Sequence, residues 1–165
     1  MKSEKGQLIS QVFIYIILLV MVSLIFLFGY KAIQMIAGSG SDLDDLSFKN
    51  EIENDINKYS IEYGSSERKK IPVPNNVNEA CFVNKDAIGK DIDAPYFVIK
   101  DSVKSGVKDN LFIFGSEPNT NFRKMFVGNV SIKGNEDLIC IESINGRLNI
   151  GYKGKGSYTE ISAWE

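Results

Sequence analysis

Residues Val12–Tyr30 read VFIYIILLVMVSLIFLFGY, 19 residues without a charge in which only Ser23 and Gly29 interrupt large apolar side chains. An α-helix rises about 1.5 Å per residue, so the stretch covers roughly 28 Å, close to the ~30 Å hydrocarbon core of a bilayer. A helix on a soluble core needs one apolar stripe, and this one is apolar all round. The reading is a transmembrane helix, taken as residues 7–36 with its flanks, and Tyr30 with Lys31 forms an interfacial pair at its far end.

The flanks set an orientation. Residues 1–6 carry Lys2, Lys5 and the α-amino group against Glu4, whereas the far side carries Lys31 and then Asp42, Asp44 and Asp45. The positive-inside rule puts the N-terminus in the cytoplasm and the rest of the chain outside the cell membrane. A cleaved secretory signal would be shorter and end at a small-x-small site. Here the first small-residue cluster, Ala37-Gly38-Ser39-Gly40, lies well past the apolar stretch, and cleavage at that cluster is the lesser alternative.

The average composition hides this division. The 165-residue chain is 44% hydrophobic and 24% charged, both ordinary values. Much of that 44% lies in one helix, so the remainder is a modest and more polar domain. Residues 37–165 hold 16 Lys plus Arg against 20 Asp plus Glu, a balance opposed to nucleic-acid binding. The chain has no histidine. That removes histidine general bases, Ser-His-Asp and Cys-His catalysis and histidine metal ligands.

Gly38-Ser39-Gly40 reads as a hinge at 37–40. Ser41 is a good N-cap, with Asp44 three residues on. Phe48, Ile52, Ile56, Tyr59 and Tyr63 then follow helical spacing, so an amphipathic second helix is expected over 41–63, with Gly64 just beyond its end. Asp45 and Lys49 give i,i+4 support. Ser65–Lys70 reads as a solvated basic loop, and contact of Arg68, Lys69 and Lys70 with an anionic lipid or polymer is the alternative.

Beyond it the period becomes that of strands. Ile71-Pro-Val-Pro74 is an extended edge, because proline cannot donate to a sheet ladder. Strands are expected at Ala80–Val83, Tyr96–Ile99, Leu111–Phe114, Lys124–Val127, Val130–Ile132, Leu138–Ile141, Leu148–Tyr152 and Tyr158–Trp164. Val98–Val107 has a helical alternative, and Asn145-Gly146 is a strong hairpin signal. The fold class is α+β: an N-terminal transmembrane helix, an amphipathic second helix, then a small mostly antiparallel sheet over 70–165. Together the last two make an extracytoplasmic domain at 41–165.

Cys81 and Cys140 both lie in strand-like runs outside the membrane, where an oxidising compartment favours a disulfide over two buried thiols. Two thiolates without histidine or Cys-x-x-Cys make no metal site. Asn129-Val130-Ser131 is a glycosylation sequon. Gly151–Gly156 lacks the order and setting of a phosphate loop, and the paired carboxylates Asp91 with Asp93 and Glu136 with Asp137 lie in turn-like contexts. The aromatics Tyr96, Phe97, Phe112, Phe114, Phe122 and Phe126 read as core. No cofactor and no enzymatic activity are expected.

The residues before the apolar run are Lys5-Gly6-Gln7-Leu8-Ile9-Ser10-Gln11. A basic residue, a glycine and a polar residue opening a long apolar helix resemble the class III signal peptide of type IV pilin-like proteins, in the form found on archaeal members. The layout also resembles small archaeal single-span membrane proteins. The pilin-like resemblance implies that a prepilin peptidase cuts between Gly6 and Gln7, removing a cytoplasmic leader at 1–6, and that the retained helix packs against other pilin-like subunits. That family usually carries glutamate at the fifth mature position, where this chain has Gln11. The difference points to a minor or pseudopilin-type subunit. An uncleaved, signal-anchored surface protein with a binding role is the alternative.

Overall fold

The structure, a computed structural model, describes the backbone of residues 5–116 and 122–164 and the side chains of residues 12–33, 44–116 and 122–164. The chain divides into two compact units, Met1–Asp42 and Leu43–Glu165. Helix α1 spans Lys5–Ile61. The hinge expected at 37–40 and the fresh helix start at Ser41 are therefore corrected, since the backbone stays helical through both. Glycine costs about 1 kcal/mol in a helix, but elongating an existing helix avoids the larger cost of a new nucleus.

In the first unit, Val12–Ile33 has a mean hydropathy of 3.0 and buries none of its residues. Among the described residues it is the one helix long and apolar enough to cross a membrane. Ser23, its one serine, donates its hydroxyl to the Leu19 carbonyl at 2.8 Å. That bond keeps the polar group inside the helix's own hydrogen bonding.

In the second unit the chain continues as β1 (Ser66–Pro72), β2 (Val77–Val83), a 3-10 turn at Lys85–Ala87, helix α2 (Phe97–Lys104), β3 (Leu111–Gly115), β4 (Phe122–Met125), β5 (Val130–Ile132), β6 (Leu138–Glu142), β7 (Arg147–Gly154) and β8 (Thr159–Ala163). Among the described residues these strands form two four-stranded sheets, ordered β1-β7-β8-β5 and β4-β3-β2-β6. All pairings are antiparallel except β5 with β8. The unit is α+β, as the order of periodicities implies, but with two sheets in place of one.

The sheets differ in how many faces they bury. Ala80, Phe82, Leu111 and Ile113 of the second sheet join Phe48, Ile52, Ile56 and Tyr59 of α1 in the main core. The opposite face, Cys81, Val83, Phe112 and Phe114, packs on Ile99 and Val103 of α2. A strand covered on both sides reads as a continuous apolar run, and Leu111–Gly115 is buried throughout. The first sheet commits one face to the main core through Ile71, Leu148, Ile150, Tyr152 and Ile161. Its strands alternate, and among the described residues no helix covers the other face.

Three local expectations are corrected. Residues 97–99, expected in a strand, open α2. Of the basic segment Ser65–Lys70, read as a loop, all but Ser65 belongs to β1, which pairs with β7. α1 ends at Ile61, and Tyr63 is 82% exposed rather than on the apolar face. Gly64 adopts φ 81°, and its N–H donates to the Gly154 carbonyl at 3.0 Å. Asn145-Gly146 does make a tight turn, with φ of 53° and 72° and reciprocal bonds between Ile144 and Arg147. It is a corner rather than a full hairpin, because β6 and β7 belong to different sheets.

Candidate functional site

Alternation along β1 divides the basic run between two faces. Lys69 turns inward, where its ammonium donates to Asp55 of α1 at 2.6 Å. Arg68 and Lys70 turn outward. The register places Arg68 beside Gly151, Lys70 beside Asn149, Gly151 beside Ser162, and Lys153 beside Glu160. Laterally paired residues share a face, so the uncovered face of β1-β7-β8-β5 carries Arg68, Lys70, Arg147 and Lys153. Lys133, immediately after β5, joins them. Glu160 is a carboxylate on this face, and it holds Lys155 at 3.0 Å, which raises the Lys155 pKa.

The centre of the face is a shallow concavity of about 600 Å³, lined by Arg68, Lys133 and Lys153, by Glu67 and Glu160, and by Ser66 and Ser162 among others. Gly151 forms its floor. A Cβ there would lie 2.7 Å from the Ser162 hydroxyl, which would have to turn away to make room. Trp164, one strand position beyond Ala163, borders it. Its ring lies 5.8 Å from the Arg68 guanidinium carbon and 5.4 Å from the Lys70 ammonium. Its indole nitrogen is buried without a hydrogen-bond partner. Cations grouped on a flat polar floor attract and orient anions. No nucleophile activated by a base is part of the arrangement.

Beneath this face a second polar group fastens the sheet to α1. The Tyr59 hydroxyl donates to Glu67, and the Tyr59 ring stacks on Tyr152 with centroids 5.5 Å apart. Burial, then the bond to Glu67, pushes Tyr59 up to about 12. Burial likewise raises Tyr152, and the bond to Glu79, then burial, pushes Tyr96 up to about 12. The bond to Asp55 raises Lys69, and the Tyr59 hydroxyl lowers Glu67. Groups raised on folding contribute stability that is complete below their unfolded values and is lost as pH climbs through the folded ones. Urea midpoints should therefore hold to about pH 10 and fall from there through about pH 12. Glu67 acts in the opposite sense, and its contribution is lost as pH falls below the usual carboxylate range.

Cys81 and Cys140 pair across β2 and β6 with Cα atoms 4.0 Å apart, and they are joined as a disulfide. Glu79 lies close enough to both sulfurs to complete a three-ligand cluster. The disulfide commits both sulfurs, and Glu79 instead accepts the Tyr96 hydroxyl at 2.7 Å. Asn129 is exposed immediately before β5, with its sequon partner Ser131 on that strand. Asp91, Asp93, Glu136 and Asp137 are exposed, and Asp91 is lowered by Lys104 and Lys100. Of the aromatics read as core, Phe112 and Phe114 are buried, but Phe97 is 79% exposed and Phe126 is also exposed. Gly6, Gln7 and Gln11 fall outside the residues whose side chains are described, and residues 1–4 of the leader lie outside the described residues altogether.

Sequence reasoning did not single out Lys133, Arg147, Lys153 or Trp164 as site residues. The signal was present in β7, where Arg147, Asn149, Gly151 and Lys153 alternate with Leu148, Ile150 and Tyr152. Grouping those cations with Arg68 and Lys70 needed the β1–β7 register, which separates the partners widely in sequence. No family model matches the chain, and neither a curated protein nor a solved structure does.

Proposed function

We propose that this chain is a membrane-anchored extracytoplasmic subunit of the type IV pilin-like kind, of the minor or pseudopilin type, acting through subunit packing rather than catalysis. One observation carries the reading. The helix that displays Val12–Ile33 with every apolar side chain uncovered later supplies Phe48, Ile52, Ile56 and Tyr59 to the core of the Leu43–Glu165 unit. Apolar surface on that scale requires lipid or the helices of other subunits. The bilayer anchors the helix first, with the N-terminus in the cytoplasm, and neighbouring subunits take it up on assembly. Prepilin peptidase cutting between Gly6 and Gln7 links the two stages.

The neutral Gln11 favours a second reading, an uncleaved signal anchor on a surface binding protein. N-terminal sequencing and intact mass of the membrane-extracted protein separate the two. The pilin-like reading expects a chain beginning at Gln7, and Gly6→Leu should restore the full-length mass. A native chain still beginning at Met1, from a cell with an active prepilin peptidase, selects the anchor reading.

A further inference from the structure

We propose that the uncovered face of the β1-β7-β8-β5 sheet binds an acidic polysaccharide. This goes beyond the anchored-subunit reading and takes from it only that such polymers surround the domain. Charge complementarity is the first argument. Residues 37–165 carry more acids than bases, yet five cations gather here against two carboxylates that are already engaged, Glu160 by Lys155 and Glu67 by the Tyr59 hydroxyl. Lys70, Lys133 and Lys153 enter none of the ion pairs formed among the described residues. Cations grouped in this way repel one another unless an anion covers them.

The shape and the polar groups select the class of anion. The concavity over Gly151 is shallow, with Ser66 and Ser162 in its lining and Asn149 opposite Lys70 on the neighbouring strand. A carboxylate-bearing sugar chain offers charges for the lysines and hydroxyls for these groups. Trp164 adds an aromatic platform at the rim, and its buried indole N–H has no partner. A bilayer is the poorer occupant, since a membrane-binding face projects apolar side chains into the lipid. Here the strongly exposed apolar residues Leu46, Ile61, Tyr63 and Phe97 belong to other elements, and Ile144 stands alone beside Arg147 at the edge of the face.

Trp164 is the single tryptophan of the chain, so its fluorescence reads this face without a label. The test titrates the full chain in neutral detergent with polygalacturonate. Expected is a saturable change in Trp164 fluorescence that weakens as salt is raised. The variant Lys70→Ser/Lys133→Ser/Lys153→Ser should bind at least about tenfold more weakly. A matched variant on the α2 side, Lys90→Ser/Lys100→Ser/Lys104→Ser, should stay within about twofold. Equal binding by the first variant and the native chain overturns the proposal. So does an equal response to uncharged dextran, to micelles doped with anionic lipid, or to duplex DNA. Salt-sensitive self-association that disappears in the first variant assigns the face to a second copy and also overturns it. Should the variant lose its fold, salt-independent binding by the native chain serves as the refutation.

Discussion

Gly154→Ala should destabilise the Leu43–Glu165 unit by about 3 kcal/mol or more, far above the usual cost of an added methyl group. A Cβ at this position would lie 2.9 Å from the Ser65 hydroxyl and would run into the carbonyl oxygens of Tyr59 and Glu62, which are closer still. Two of these are backbone atoms, so no rotamer change relieves the clash. The same glycine donates its N–H to the Ser65 carbonyl at 2.8 Å and accepts from the Gly64 N–H. Any shift that made room would break both bonds and draw the last turn of α1 away from β7. The Thr159 hydroxyl, which donates to the Ile56 carbonyl at 2.7 Å, would be strained with them. Urea unfolding measures the effect, and a loss below about 1 kcal/mol would show that the helix end yields where the geometry says it is fixed.

The second large effect concerns the disulfide. Cys81 and Cys140 are 59 positions apart, so in the chain-entropy account their link stabilises by about 4 kcal/mol. Cys81→Ala/Cys140→Ala should lose an amount of that order in a reductant-free buffer. The native protein with reductant should lose a similar amount, and reductant should leave the variant unchanged. Thiol titration of the denatured native chain should find no free thiol. One thiol or more per chain, or a variant as stable as the native protein, would contradict the assignment. Cys81 lies in the core beneath α2, so the variant also loses packing there, and reduction of the native chain isolates the covalent contribution.

Several features were legible because they depend on neighbours in sequence. The spacing of Phe48, Ile52, Ile56 and Tyr59 marks one side of a helix, and these are the α1 residues that the core buries. Val130–Ile132 and the turn at Asn145-Gly146 were likewise visible in local pattern. What local pattern cannot supply is the partner of a strand. Asn145-Gly146 specifies a reversal of the backbone, but not that the strands on either side enter different sheets. Arg68-Lys69-Lys70 resembles a loop because three successive charges suit water, whereas Asp55 on α1 gives Lys69 an inward partner. Phe97–Ile99 is as apolar as a strand, and the covering it provides for Phe112 and Phe114 comes from a helix instead. The cationic face was the least visible part, since it unites residues from β1, β7 and the end of β5.

The interleaving of the two sheets has a consequence for how the protein is made. Pro72 of β1 pairs with Arg147, so the first strand to leave the ribosome waits for nearly the last to find its neighbour. Until β7 and β8 arrive, Ile52 and Ile56 also lack Leu148, Ile150 and Ile161. Sheets closed over such sequence distances assemble slowly. A chain stopped anywhere before Arg147 would present an unpaired strand and a greasy helix side to its surroundings, the condition that invites aggregation or capture by chaperones. Closure of this core therefore waits on β7 and β8, however early the other strands are made.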